Sequence, residues 1–536
     1  MKRFYEDEIR QRLDSEEKYR ELLFPRCYLF TDKRLTDTDR YPFYGRWSGA
    51  QVGGYTLYAQ EKTHAYTAER DGVAAALVGH AFDPFTGVLD EREILTACID
   101  AWRRDEAEFF DIVNRITGVF VIILAEGERL TAVQDCSGMQ MLYYGRADGH
   151  IWMTSAPQLV GDVCGLKRTE YVMRLLNSRG YYMGSRFLPG DLSPYEELTR
   201  LGPNMVLRYD GEFAQKRFFP VTERRELSEE EKPRAIEEIY SLFRKNIEMI
   251  LEKWDSAALS LTGGTDSKTT LACANGLYDR FMRYSFASKP SEKQDADAAA
   301  EICKKLGLSH KLYVIPEDEN DIEDYDFLVK LIDHNTSYLC AFYKNELRKY
   351  IWLSRNHDYK TEIKSDASEI GRAIMQRKYR VRLPEVLAPR HFTAFHARYF
   401  FEPSLMRAAD RANRSLMEKT GLTGPIKGYE HLTLYFWEVR MGSWAATSFH
   451  SQQFFGEVVI PYNNRRLMDM FYGFTYDERL NDVPHRLLMK RGNPAVADMN
   501  IHVKDSYFDK KRIFLETVYY LYATRLNVFG RKKAGK

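Results

Sequence analysis

Hydrophobic and polar residues change rhythm along this chain. Up to about residue 220 the apolar runs have strand length. Residues 118–124 (GVFVIIL) are one unbroken apolar run, followed by a polar turn at Glu126–Glu128 and a second run, LTAVQD, at 130–135. Two such runs with a short polar link predict a hairpin in a buried sheet. Residues 204–219 (NMVLRYDGEFAQKRFF) predict another hairpin, turning at Asp210-Gly211. Segment 221–234 (VTERRELSEEEKPR) is charged and nearly free of apolar residues, and Ser228 with Glu231 has capping-box spacing. It marks a domain boundary.

Beyond it, Ile236, Ile239, Tyr240, Phe243, Ile247, Ile250 and Leu251 recur at three- and four-residue spacing and predict a helix with one apolar stripe. The rhythm then alternates. AALSL (257–261) reads as a strand, TGGTDS (262–267) as a glycine turn and KTTLACAN (268–275) as a helix stopped by Gly276. FMRYSFA (281–287) reads as a strand, DADAAAEICKKLG (295–307) as a helix and HKLYVI (310–315) as a strand. Strand–helix alternation predicts a parallel α/β sheet. From about residue 320 the pattern is mostly helical and rich in aromatics.

Composition narrows the class. The 536 residues carry 78 Lys and Arg against 77 Asp and Glu, a formal charge of +1, which argues against a nucleic-acid partner. The longest purely apolar run, 119–125, is far short of the roughly 20 residues of a membrane span, so no membrane partner is expected. The N-terminal segment lacks the apolar stretch of a signal peptide. The basic tail GRKKAGK reads as a solvated end. Seven cysteines (27, 98, 136, 164, 273, 303 and 340) are scattered without a CxxC pair, which fits a reducing, cytoplasmic location and offers no zinc or disulfide framework.

The sharpest chemical signal is Ser260-Leu261-Thr262-Gly263-Gly264-Thr265-Asp266-Ser267-Lys268, between a strand and a helix. Two glycines let backbone approach a ligand closely, and the following helix presents unpaired N–H groups to an anion. Thr262 and Ser267 add hydroxyls. Asp266, on a solvent-facing loop, suits a phosphate-bound Mg²⁺. The GxxxxGK[ST] pattern of a Walker loop is absent.

This segment resembles the SGGxDS pyrophosphate loop of ATP pyrophosphatases, with Thr262 in the first serine position. Upstream, TGVFVIILAEGERLTAVQDCSGMQMLYYG (117–145) resembles the class II glutamine amidotransferase pattern, and 198–219 resembles the hairpin closing that domain. The order of the two halves resembles the asparagine synthetase and β-lactam synthetase family. The resemblance implies an Ntn-type αββα sandwich over 1–220, then a parallel α/β ATP-pyrophosphatase domain with a helical C-terminal part over 221–536. It implies ATP and Mg²⁺ as cofactors. Leu259, Ser260, Leu261 and Phe286 would flank adenine, and residues 262–267 would hold phosphates. Lys364-Ser365-Asp366-Ala367-Ser368-Glu369-Ile370-Gly371-Arg372 resembles the second nucleotide loop. There Ser365 and Asp366 would bind nucleotide, Glu369 would take the family's glutamate position, and Ser368 would join Asp266 at Mg²⁺ in place of an aspartate. Arg372 would hold a phosphate or a carboxylate. Asp295 would approach pyrophosphate-bound Mg²⁺, or else favour a helix start. Arg440 and Trp444 would line an acceptor cleft. In HRLLMKR (485–491) either Arg486 or Lys490 would meet the charge at phosphorus, with Lys504 as the alternative.

Two departures remove the glutaminase. Residue 2 is Lys where the family has an N-terminal cysteine, and Gly79–Asp83 (GHAFD) stands where the family has Asn-Gly. The expectation is therefore a ligase that activates a small-molecule, peptide or sugar carboxylate as an acyl-adenylate. Its amine donor would be free ammonia, a second substrate or a group on the same molecule, and a homodimer is compatible with it. The alternative is a nucleotide- or partner-binding pseudoenzyme.

Overall fold

The computed structural model describes residues 4–178, 180–181, 186–340, 342, 344–375, 386–396, 402–454, 456–499, 501 and 510–529. It is a mixed α/β protein with two antiparallel sheets and one parallel sheet.

The strands of the first two sheets are β1 (Tyr28–Thr31), β2 (Trp47–Val52), β3 (Tyr55–Gln60), β4 (Ala65–Arg70), β5 (Val73–Phe82), β6 (Thr117–Glu126), β7 (Arg129–Gln134), β8 (Tyr143–Ala147), β9 (His150–Thr154), β10 (Leu198–Arg200), β11 (Met205–Asp210) and β12 (Glu212–Arg217). One sheet runs β10-β8-β9-β1-β3-β2 and the other β12-β11-β7-β6-β5-β4. Phe30, Leu57 and Met153 of the first pack against Ala76, Val121 and Ala132 of the second. On the far side of the second sheet, Phe120, Ile122 and Leu124 meet Ile94, Leu95 and Phe109 of helices Glu91–Arg104 and Glu106–Arg115. The far side of the first sheet carries Leu29 and Trp152 against Ile9, Leu13, Leu159 and Leu331, all from helices. The layers are thus helix, sheet, sheet, helix. The apolar run of β6 is unbroken because alternate side chains enter two different cores, both covered. Both predicted hairpins form: β6 pairs with β7, and β11 pairs with β12, with Asp210 opposite Glu212 around Gly211.

The third sheet holds β13 (Ala257–Ser260), β14 (Phe281–Ala287), β15 (Lys311–Val314), β16 (Thr361–Ile363) and β17 (Glu457–Val459). Every pairing in it is parallel, in the order β15-β14-β13-β16-β17. Chain order therefore reverses between β13 and β16. In open parallel sheets that reversal leaves a crevice beyond the strand ends.

The predicted helix after the boundary spans Lys232–Lys253. Only half of the capping box forms. The Glu231 carboxylate accepts the Ser228 N–H at 2.9 Å, but no side chain caps the helix. The boundary segment itself is pinned, since Arg224 Nε donates to the Tyr472 carbonyl at 2.7 Å.

The two antiparallel sheets join the rest of the chain through buried polar groups. The fully buried Arg465 donates to the carbonyls of Gln134 and Asp135, each at 2.8 Å. Asn463 Nδ2 donates to Asp135 at 2.9 Å, and Trp437 Nε1 donates to the Cys136 carbonyl at 2.6 Å. Buried polar groups paired this completely fix one relative placement of the two halves.

Candidate functional site

β13 ends at Ser260, and the Leu261 N–H still pairs with the Tyr284 carbonyl at 2.8 Å. Leu259 is buried under the sheet. The chain then turns on its own hydroxyls. Thr262 N–H donates to Ser267 Oγ at 3.1 Å, and Gly264 N–H donates to Thr262 Oγ1 at 3.1 Å. The helix Thr265–Cys273 starts at Gly264 with no side-chain cap. Its first N–H groups and the positive end of its dipole face the crevice at the strand ends. Burial raises the Asp295 carboxyl, and the Gly263 N–H opposes that rise.

The second loop follows β16. Ser365 Oγ lies 2.7 Å from Thr270 Oγ1, tying this loop to the helix that follows the glycine turn. Ala367 takes a positive φ of 70°. That bend sends Ser368 inward, where it is fully buried. Its hydroxyl donates to Asp266 and lies 3.1 Å from His485 Nε2. Arg372 completes the cluster. Its Nη1 donates to both Asp266 oxygens, at 2.7 and 2.8 Å. Its Nε and Nη2 donate to Asp482, at 2.7 and 2.9 Å.

Beside this cluster lies a cavity of about 270 Å³ whose wall includes Lys364, Asp366, Glu369, Arg440, Tyr350, Phe436 and Trp444. Burial, then the charges of Asp266 and Asp366, push Glu369 up to about 8. Burial also raises Asp366, against the pull of Lys364. Burial pulls Lys364 down, but Glu362, Tyr350 and Asp366 outweigh it, so the ammonium is held well above its ordinary range. The Arg440 guanidinium stacks over Trp444, 4.4 Å from the ring centre. The cavity thus presents firm cations, acids that resist ionisation and an aromatic wall.

The residues expected from sequence divide. The turn 262–267, Ser365, Asp366, Ser368 and Glu369 are brought together, and Arg440 and Trp444 do line the adjoining cavity. Phe286 lines a second, much smaller cleft with Tyr284 and Glu362, and Lys349 Nζ sits over its ring at 4.8 Å. Asp295 is not at a helix start, because its helix runs Pro290–Lys305. Arg486 and Lys490 are not among the residues that line the cavity. Both are exposed on helix Val483–Gly492, and Arg486 Nη1 donates to the Asn481 carbonyl at 2.6 Å. Pro484, His485, Leu488 and Met489 form the buried face of that helix. Gly492 explains the close crossing, since a Cβ there would lie 2.6 Å from the Ala272 carbonyl oxygen. Lys504 lies outside the described residues, as does Lys2. His485 and Asp482 were missed in the sequence. Their only signal is spacing from Leu488 and Met489, which a scan for cations passes over.

Asp266 is not the free, solvent-facing carboxylate that its loop suggested. Mg²⁺ takes carboxylate and water oxygens in a strict octahedron. Here both Asp266 oxygens accept from a guanidinium, and the facing Ser368 is neutral with its hydroxyl spent on Asp266. Among the described residues, no group of three or more His, Cys, Asp or Glu is placed to hold a metal ion. This donor set does not suit Mg²⁺.

Among the described residues, no strand of the first two sheets contains a cysteine. Cys27, just before β1, is completely buried, its N–H donates to the Phe24 carbonyl at 3.2 Å, and burial pushes its thiol up to about 12. His450 Nε2 lies 3.5 Å from Cys27 Sγ, and burial pulls that imidazole down to about 4. In the stretch 79–83, His80 Nδ1 lies 3.1 Å from Glu457 Oε1, and Asp83 pairs with Arg115 at 2.8 Å. Cys98 and Cys136 are also buried. Among the described residues no helix is long and apolar enough to cross a membrane.

No protein-family model matches the sequence, and no curated protein matches it. Solved structures do. The glutamine phosphoribosylpyrophosphate amidotransferase from B. subtilis, complexed with ADP and GMP, is similar over 54% of this chain and 59% of that one, at 10% identity and a TM-score of 0.21. A structure of the allosteric regulatory enzyme of purine biosynthesis is similar over 47% of this chain and 57% of that one, at 11% identity and a TM-score of 0.23. The chain thus spans under three-fifths of either relative. Likenesses this slight leave the site to be read from its own residues.

Proposed function

We propose that this chain is an ATP-dependent ligase that forms an amide bond and has no glutaminase. One observation carries the reading: the loop after β16 closes on Asp266, at the end of the glycine turn, where the strand order reverses, beside a cavity lined by firm cations and one poised acid. ATP is a substrate in this reading. Its phosphates lie on the uncapped start of helix Thr265–Cys273, where N–H groups and the dipole favour an anion. A carboxylate substrate enters the cavity, facing Lys364 and Arg440. Its oxygen attacks the α-phosphorus, pyrophosphate leaves and an acyl-adenylate forms. The amine nitrogen then attacks the acyl carbon, AMP leaves with the bonding electrons, and Glu369 takes the proton from nitrogen. Holding both reactants in one enclosed space supplies much of the rate. The amine is ammonia, a second substrate or a group on the same molecule. In this reading the chain supplies no ligand to Mg²⁺, because Asp266 is held by Arg372 and Ser368.

A second reading has its own support. Asp266 is tied by Arg372 and Ser368, which favours a site that binds nucleotide without turnover. Incubation with ATP and a panel of carboxylates and amines separates the two. Pyrophosphate and AMP released in equal amounts support the ligase, and binding without either product supports the second reading.

A further inference from the structure

We infer that Arg372 takes the place of a metal ion at Asp266, so that this site binds nucleotide phosphates without help from Mg²⁺. The inference rests on the nucleotide reading above. Three features carry it.

The Asp266 carboxylate is already neutralised. Arg372 Nη1 reaches both of its oxygens, at 2.7 and 2.8 Å, and the Ser368 hydroxyl adds a third donor. A cation entering here would compete with those donors and sit beside a guanidinium of like charge.

Arg372 is held from its other side. Its Nε and Nη2 are fixed by both oxygens of Asp482, at 2.7 and 2.9 Å, and its side chain is only 7% exposed. A guanidinium forked between two carboxylates by four charge-assisted hydrogen bonds is held firmly in one orientation. The pair is part of the fold, and Asp482 is anchored at the head of the helix that buries His485.

Among the described residues, the facing position offers no replacement. Ser368 is fully buried, neutral and shared between Asp266 and His485. Mg²⁺ binds chiefly through carboxylates and substrate phosphates. With Asp266 occupied, any ion accompanying the nucleotide stays on the phosphates and in water. It gains nothing from the protein.

The test is equilibrium binding of α,β-methylene-ATP, which cannot be cleaved between the first two phosphorus atoms, in excess MgCl₂ and in EDTA. The expected result is the same Kd in both within about threefold. A Mg²⁺ dependence larger than that overturns the inference and leaves the nucleotide reading standing. No binding in either condition overturns both. The variant Arg372→Gln frees Asp266 for a metal. It is expected to bind more tightly in MgCl₂ than in EDTA by about tenfold or more. If Arg372→Gln is folded and stays indifferent to Mg²⁺, the role given to Arg372 is wrong. If it does not fold, the wild-type comparison alone decides.

Discussion

Arg372 donates through one nitrogen to both oxygens of Asp266 and through two others to both oxygens of Asp482. Three segments far apart in sequence are locked by this one side chain: the glycine turn, the loop after β16 and the helix at 483–492. Removing it leaves two carboxylates sharing a half-buried space without a counter-ion. Breaking a buried ion pair from one side typically costs about 3–5 kcal/mol. Arg372→Ala is expected to lose stability of that order in urea unfolding, against less than about 1 kcal/mol for exposed arginines such as Arg10 or Arg234. A loss under 1 kcal/mol would show that the clamp is not structural.

Glu369 gives a pH signature. Burial and the charges of Asp266 and Asp366 push it up to about 8. A base acts only when ionised, so turnover is expected to rise as pH climbs through about 8. Glu369→Gln should remove that rise and lower kcat by about 10²–10⁴. The raised value also means that the folded chain holds this proton more tightly than the unfolded chain. The resulting stability is full below the ordinary Glu value of about 4.3 and is lost as pH rises toward 8. Melting curves should therefore show wild type losing ground to Glu369→Gln across that window. Parallel curves would place the Glu369 titration elsewhere.

The exposed cations are expected to matter little. Arg486 and Lys490 lie on the outer face of their helix, so Arg486→Ala and Lys490→Ala should change stability by no more than about 0.5 kcal/mol. Turnover should stay within a few-fold of wild type. His485→Ala should behave differently. That ring is fully buried, meets Ser368 and stacks on Phe471 at 5.0 Å. Truncating a large buried ring costs about 3–5 kcal/mol. A large kinetic loss in either exposed variant would mean that this helix turns its other face to substrate.

How much of this was legible in the sequence depends on whether the deciding contacts are local. The strands FMRYSFA and GVFVIIL and the hairpin at Asp210-Gly211 are set by neighbouring residues, and the structure has them where the pattern puts them; the glycine turn is also there, but its helix begins three residues earlier than the pattern put it, at Thr265. The central order of the parallel sheet was not legible. β16 and β17 are three residues each; β16 pairs with β13 and β17 with β16, both across about 100 residues, as Leu259 does with Ile363. Nothing in TEI or EVV announces a strand. The site shows the same division. Asp266 was legible as a loop carboxylate, but its pairing with Arg372 was not, because that contact spans 106 positions. In HRLLMKR the sequence offered Arg486 or Lys490 for the site, and neither lies on the buried face of helix Val483–Gly492. Packing instead selected His485, which can be buried neutral at far smaller cost than a charged arginine or lysine.

Cys27 gives a chemical test of the missing glutaminase. Burial pushes its thiol up to about 12, and only a thiolate is an effective nucleophile. Native protein treated with iodoacetamide should show no modified Cys27 peptide by mass spectrometry until denaturant is added. Incubation with glutamine should yield no glutamate above a buffer blank. Fast labelling of Cys27 or steady glutamate production would contradict this account of the first two sheets.

The most direct test of the central claim is the fate of the phosphates. Purified protein is incubated with ATP labelled in the α- and γ-phosphates, with carboxylates and an amine supplied, and the nucleotide products are separated. The ligase reading predicts AMP and pyrophosphate in equal amounts, formed only when an acceptable carboxylate is present and reduced by Glu369→Gln. ADP with inorganic phosphate, or ATP recovered intact from a protein that does not bind it, would contradict the assignment of the 262–267 turn and the ligase built on it.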